Sequence, residues 1–205
     1  MPRPSVPSRR SDILLAARDA FNARGFAGAR MEDIARAVGI SKAALYLQFG
    51  SKEALFEALT TELIEATLPT MAPAQFGDIP AETLLRGFIT TLTGRLASPE
   101  LAFVPRVIIG EAMNFPELAR FYHDHVIERG LAVVEAIIRH GIARGELACD
   151  DPPLACRTVV GGLLVGAIWK MVFEPVGARP VEAEAAARVH ADTILNGLIV
   201  RKELA

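Results

Sequence analysis

The sequence predicts an all-α protein of about nine helices, and three observations carry that expectation. Apolar residues recur every three to four positions along most of the chain. β-Branched runs are short and lie inside those helical periodicities. Serine, aspartate, proline and glycine punctuate the pattern where helices should start and stop. The chain has 205 residues, 51% of them hydrophobic. That is enough for one large domain or two small ones, and it excludes a disordered chain.

Each element has its own signal. Residues 1–8 carry three prolines and are expected to be loose. Ser11 reads as the N-cap of the first helix, with Asp12 at the positive end of its dipole. Ile13, Leu14, Ala17, Ala20 and Phe21 form its apolar stripe, and Gly25 closes it. A short helix from Glu32 to Val38 turns Ile34, Ala35 and Val38 to one side and stops at Gly39. Ser41 caps a third helix, 42–49, with Leu45 and Phe49 inward and Gly50 after it. Ser51 caps a fourth, striped by Leu55, Phe56, Leu59 and Leu63. A loop is expected over 71–82, then helices over about 81–97, 99–113, 116–144, 152–174 and 180–203, each starting near a proline. Pro105 should kink or split the helix that contains it.

Net charge is −2, but unevenly spread. Residues 1–60 hold nine Lys/Arg against six Asp/Glu, and residues 61–205 hold thirteen against eighteen. A basic front end on an acidic remainder suits a polyanionic partner at the N-terminal quarter. Cys149 and Cys156 are too few for a disulfide scaffold and are expected to be reduced, as in a cytosolic chain. The longest uninterrupted apolar stretch, 159–169, has 11 residues. A membrane span needs about 20, so no membrane association is expected. The basic N-terminus lacks the apolar run of a secretory leader.

Two short helices joined around Gly39 form a helix-turn-helix. Ile40 can plug the angle between them, and Ser41 leaves the free N–H groups of the next helix facing outward, where they suit phosphate. With Leu45 and Phe49 inward, Lys42, Ala43, Ala44, Tyr46, Leu47 and Gln48 lie outside. Two alanines permit close approach to a groove. Lys42 and Tyr46 can hold phosphates, Leu47 can touch a thymine methyl, and Gln48 offers the paired donor and acceptor that adenine accepts. A packed helix corner whose outer face meets another helix is the alternative.

Enzymatic chemistry has no foothold. There is no G-x-S-x-G, phosphate loop or dinucleotide fingerprint. Asp150 and Asp151 sit in a proline-flanked turn and read as a helix cap. His123 and His125 point about 200° apart on a helix and cannot share a metal, while His140 and His190 stand alone. No metal or cofactor is expected. Gly162 and Gly166, one turn apart, suit a close helix crossing, either between two subunits or within one. The 180–203 helix carries a small, apolar face of Ala183, Ala186, Ala187, Val189, Ile194 and Leu198.

The stretch MEDIARAVGISKAALYLQFGSKEALFEAL (31–59) resembles the DNA-binding domain of the tetracycline-repressor (TetR) family of transcriptional regulators. In that family a first helix ends in a G-[FY] pair, as Gly25-Phe26 does here. The second helix reads like D-I-A-x-x-x-G, the third like S-K-x-x-L-Y-x-x-F, and the fourth opens S-K-E-x-L; all four signatures are present. The resemblance implies a DNA-binding domain over 8–68, its motif at about 30–49, and a ligand-binding and dimerisation domain over 69–205. By motif position, Lys42, Tyr46 and Lys52 would hold phosphates beside Ser41, while Ala43, Ala44, Leu47 and Gln48 would face bases. Two departures stand out. Arg30 replaces the usual Thr or Ser, and would supply a charge-assisted phosphate contact; Gln48 stands where His is common.

Family members are homodimers through their last two helices, which here implicates Gly162, Gly166, Ala187, Ile194 and Leu198. Their effector pocket lies among the middle helices. The candidates are Phe88, Phe103, Arg106, Val107, Met113, Phe121, Tyr122, Trp169 and Phe173, with Glu111 and Glu174 as further polar groups and Phe115 as a loop plug. RVIIGEAMNFPELARFY (106–122) is similar to the ligand domain of the branch that controls efflux and stress genes. The resemblance implies a cytoplasmic, dimeric repressor released from double-stranded operator DNA by a small, largely apolar effector. An activator of the same fold, and a helical ligand-binding protein without DNA binding, are the alternatives; a DNA footprint separates the last from the rest.

Overall fold

A computed structural model of the chain describes residues 6–65 and 76–199, with the backbone alone for 6–8, 99, 100, 102 and 103. The expectations for 1–5, 71–75 and 200–203, and for the Phe103 side chain, fall outside it. Among the described residues the helices are α1 (Val6–Gly28), α2 (Met31–Val38), α3 (Lys42–Phe49), α4 (Lys52–Glu65), α5 (Ala81–Leu96), α6 (Pro99–Glu111), α7 (Pro116–Tyr122), α8 (Glu128–Ala143), α9 (Pro152–Ile168) and α10 (Ala183–Leu198). A π turn, His123–Ile127, joins α7 to α8 without a break in helical structure, so the helix expected over 116–144 is continuous and the described helices number nine. There is no strand among the described residues, only an isolated antiparallel bridge between Leu147 and Ile199.

The described chain forms two compact units. The first gathers residues 6–65 with 103–125, and the second gathers 76–102 with 126–199. Segment 103–125, expected among the C-terminal helices, therefore packs with the N-terminal ones. The first core is built on Phe21, Phe26 and Phe56. Phe21 and Phe26 stack at 5.6 Å, and Phe56 stands edge-on to both at 5.5 and 5.7 Å. Ile13, Leu14, Ala17, Ile34, Leu45, Leu55, Val107 and Leu118 close around them. Each large side chain buried here contributes about 1.5–3 kcal/mol, which is what holds three helices of 14 residues or fewer in place. Phe115 meets Phe26 edge-on at 4.9 Å, in the plugging role expected of it. The second core joins α5, α8, α9 and α10 through Leu85, Ile89, Val134, Ile137, Val159 and Leu195.

Several boundaries differ from expectation. α1 starts at Val6, with Ser11 inside it, because Pro7 falls in the first turn, where its missing N–H costs nothing. α6 runs unbroken through Pro105. α9 continues through a π turn, Trp169–Phe173, and a 3-10 turn, Glu174–Val176. The resulting rod, Pro152–Val176, has 25 residues, a mean hydropathy of 1.6 and 17% of its apolar window buried. By length and composition it could cross a membrane, contrary to the estimate from the 11-residue run. That estimate counted only uninterrupted apolar residues, whereas a helix tolerates Arg157 and Lys170 near its ends.

Candidate nucleic-acid interface

The turn between α2 and α3 is fixed by backbone hydrogen bonds. Gly39 takes the left-handed conformation (φ 72°, ψ 32°). Its N–H donates to the Arg36 carbonyl at 3.2 Å, and the Ile40 N–H donates to Ala35 at 3.0 Å. This double closure satisfies the last carbonyls of α2 and turns the chain sharply. Ser41 then caps α3, its Oγ accepting from the Ala44 N–H at 3.1 Å. Arg30, at the N-cap of α2, makes no side-chain cap bond, and Glu32 and Asp33 in the first turn complement the dipole instead.

α3 buries Leu45 and Phe49 and exposes Lys42, Ala43, Ala44, Tyr46, Leu47 and Gln48. Leu47 is 91% exposed, an unusual position for leucine on a solvated helix. Lys42 is ion-paired with Glu32 and lies 5.7 Å over the Tyr46 ring. The hydrogen bond from Lys42 holds the Glu32 carboxyl below its ordinary range, and Glu32 raises the Lys42 ammonium in turn. Asp33 bridges Arg24 at 2.7 Å and Arg36 at 2.9 Å, and the Arg24 bond lowers its carboxyl. The acidic residues of α2 thus pair with Lys42 on the face and with Arg24 and Arg36 beside it, contacts that the sequence pattern did not reveal.

Two further charged side chains secure the junction between α1 and α2. Within α1 the helix is broken at Gly25 (φ 68°, ψ 180°). The next two amides, Phe26 and Ala27, donate to the two oxygens of the Glu111 carboxylate, each at 2.6 Å. Lys52, expected to hold phosphate, donates to the carbonyls of Phe26 at 2.7 Å, Ala29 at 3.2 Å and Ala27 at 3.3 Å, and sits 4.5 Å over the Phe26 ring. Glu111, expected to orient a ligand, is turned to backbone instead. Its partners lie 84 and 85 residues away in sequence, beyond the reach of any local signal.

The effector candidates divide between the units. In the first, Val107 is buried in the core, Tyr122 packs against it, and Phe121 stacks on His125 at 4.7 Å. Burial pushes the Tyr122 phenol up to about 12. Arg106 is exposed and Met113 is 95% exposed. In the second unit, Phe88 packs against the core. Trp169 and Phe173 lie together at 5.5 Å, both exposed, and the Trp169 indole N–H donates to the Arg179 carbonyl at 3.0 Å. The Glu174 carboxylate accepts from the Val181 N–H at 2.8 Å. A cavity of about 60 Å³ between α5, α9 and α10 is lined by Thr93, Lys170, His190, Gly162 and Gly166, and by none of the nine candidates.

Of the residues expected at a dimer interface, Ala187 is buried in its own chain's core, at 2% exposure. The reason is that α10 turns its small-residue face to α5. Ile194 and Leu198 pack against the same core. A Cβ on Gly162 would lie 2.3 Å from the His190 ring, so this glycine accommodates a crossing within the chain. Gly166 is exposed. His123 bonds Asp124, and no group of three or more metal-ligating side chains is found among the described residues.

Among known proteins, residues 13–59 match the family described as bacterial regulatory proteins, tetR family, and residues 83–195 match the AefR-like transcriptional repressor C-terminal domain. The HTH-type transcriptional regulator RutR of Escherichia coli O157:H7 is 41% identical over 150 residues, 72% of this chain and 68% of that protein. The HTH-type transcriptional repressor AcnR of Corynebacterium glutamicum is 32% identical over 167 residues, 79% of this chain and 81% of that one. A transcriptional regulator from Saccharomonospora viridis, crystallised with choline, superposes with a TM-score of 0.77 at 18% identity, covering 95% of this chain and all of that chain.

Proposed function

The chain belongs to the TetR family of transcriptional regulators, DNA-binding proteins rather than enzymes, and from that premise we propose that it is a homodimeric repressor that a small-molecule effector releases from its operator. The outward face of α3 carries this reading. A capped helix N-terminus, two alanines, a leucine 91% exposed, a glutamine and a lysine–tyrosine pair stand where a major groove would receive them. Lys42 and Tyr46 hold phosphates and Gln48 reads adenine, with Leu47 on a neighbouring thymine methyl. Arg30 adds a phosphate contact, and Lys52 acts by holding the head's backbone.

The exposed apolar residues of the Pro152–Val176 rod, Leu154, Val165, Val172 and Val176, together with Val189 on α10, form the face that a second copy covers. Dimerisation accounts for this face better than a membrane does, since the other side of the rod packs into the second core through Cys156, Val159 and Leu163. Two heads on one dimer read half-sites about 34–36 Å apart or a multiple of that. An effector bound among the middle helices favours a different separation, and by reciprocity of coupling it lowers DNA affinity. Such a regulator works in the cytoplasm.

Selection of duplexes from a randomised pool, followed by titration of the selected and a random duplex, tests the reading. Wild type should prefer the selected duplex by about a thousandfold or more. Gln48→Ala should lose about 1–3 kcal/mol at one operator position and relax preference there. Equal affinity of wild type for both duplexes would sink the reading.

A further inference from the structure

We propose that Glu111 is a positioning residue for base reading: its carboxylate sets the angle at which the helix-turn-helix leaves α1, and so ties segment 103–125 to the specificity of α3. The proposal rests on α3 being the DNA-reading helix.

The break at Gly25 leaves the Phe26 and Ala27 amides to the two oxygens of one carboxylate. From the other charge, Lys52 takes the carbonyls of Phe26, Ala27 and Ala29. The peptide units between Gly25 and α2 are therefore gripped at their N–H groups by an anion and at their carbonyls by a cation. α2 begins at Met31, directly after them, and leads through the Gly39 turn into α3. Both charged groups use their full geometry. A carboxylate accepts two parallel N–H bonds, and an ammonium has three donors. Glycine at 25 also makes room, since a Cβ there would lie 2.4 Å from Glu111 Oε1.

Glu111 is itself held. It ends α6, the Phe115 N–H donates to its carbonyl at 3.1 Å, and the Phe115 ring meets Phe26 edge-on at 4.9 Å. A rotation of 111–115 pulls directly on 26–27. Phosphate contacts from Lys42 and Tyr46 survive a change of angle, because phosphates are abundant and the side chains long. Paired hydrogen bonds to one base edge do not survive it. The carboxylate therefore governs discrimination between sequences more than affinity for DNA in general.

Glu111→Gln tests this in the full chain. The amide oxygen accepts one N–H, and the amide NH2 sets a donor against the other. Three readouts are taken: hydrogen exchange at Phe26 and Ala27, affinity for a duplex selected from a randomised pool and for a random duplex, and exchange in 112–122 with and without the selected duplex. Expected are exchange about tenfold faster or more at both amides, and a loss of about tenfold or more on the selected duplex. Affinity for the random duplex should hold within about twofold. Protection of 112–122 by the selected duplex, present in wild type, should vanish in the variant, an effect that simple destabilisation does not produce. Should Glu111→Gln fail to fold, Glu111→Asp, with its carboxylate held about 1.5 Å short, takes the same readouts. Retained discrimination with retained DNA-linked protection overturns the proposal. Wild type that prefers no sequence overturns the DNA-reading premise and the proposal with it, and the two failures are told apart by the wild-type titration.

Discussion

Replacing Gly25 by alanine should cost far more than an exposed glycine-to-alanine change. The backbone there has φ 68° and ψ 180°, a region that side-chain-bearing residues almost never occupy. Forcing alanine into it costs about 1–3 kcal/mol. Its Cβ would also lie 2.4 Å from Glu111 Oε1, the nearest atom in its way. The carboxylate must then withdraw, and each charge-assisted bond it loses to Phe26 or Ala27 is worth about 1.5–3 kcal/mol. The total, with one bond lost, is about 2.5–6 kcal/mol, against about 5–15 kcal/mol for a whole domain. Urea unfolding of Gly25→Ala, Glu111→Ala and the double variant measures it. With the carboxylate gone the Cβ meets open space, so the double variant should be more stable than the sum of the singles implies, by about 1.5–3 kcal/mol. Additivity within about 0.5 kcal/mol would refute the reasoning, because the carboxylate could not then stand over residue 25.

The Thr60 hydroxyl is fully buried with no hydrogen-bond partner among the described residues; Thr60→Val should stabilise by about 1 kcal/mol and raise Tm by about 2–4 °C, and a lower Tm would show that the hydroxyl has an unseen partner. Glu32→Gln releases Lys42 from its ion pair and should tighten binding to all duplexes about three- to tenfold, with a salt dependence steeper by about one; a gain limited to one sequence would contradict a phosphate role for Lys42. The raised Tyr122 phenol favours the folded state while it is neutral. That stability is complete below about pH 10, the unfolded value, and is lost as pH rises through about 12. Tyr122→Phe should flatten thermal stability against pH across that window.

What the sequence made legible was local. Ser41, Ser51, Gly39 and Gly50 marked their helix ends because a cap or a left-handed turn involves residues one to four apart. The outward face of α3 followed from two buried positions at a spacing of four, Leu45 and Phe49. Long-range partners were hidden. Nothing near Glu111 announces that it serves Phe26 and Ala27, and nothing near Lys52 distinguishes a lysine for phosphate from one for carbonyls. Ala187 and Ile194 were read from one helix's stripe, and a stripe does not say whether its own chain or another covers it. α10 covers Ala187 with its own core, while Val189 on its other side is 56% exposed.

On the proposed dimerisation, the Pro152–Val176 rod would make the amount of protein a variable in its own survival. With a second copy as the cover for Leu154, Val165, Val172 and Val176, folding and pairing draw on one pool of free energy, and Tm climbs with concentration. Dilution then has two effects at once. On that reading it would empty the operator and leave single copies whose open apolar stripe invites proteolysis and aggregation. A falling supply of the regulator is thereby amplified, because the copies that lose their partners are also the first to be destroyed.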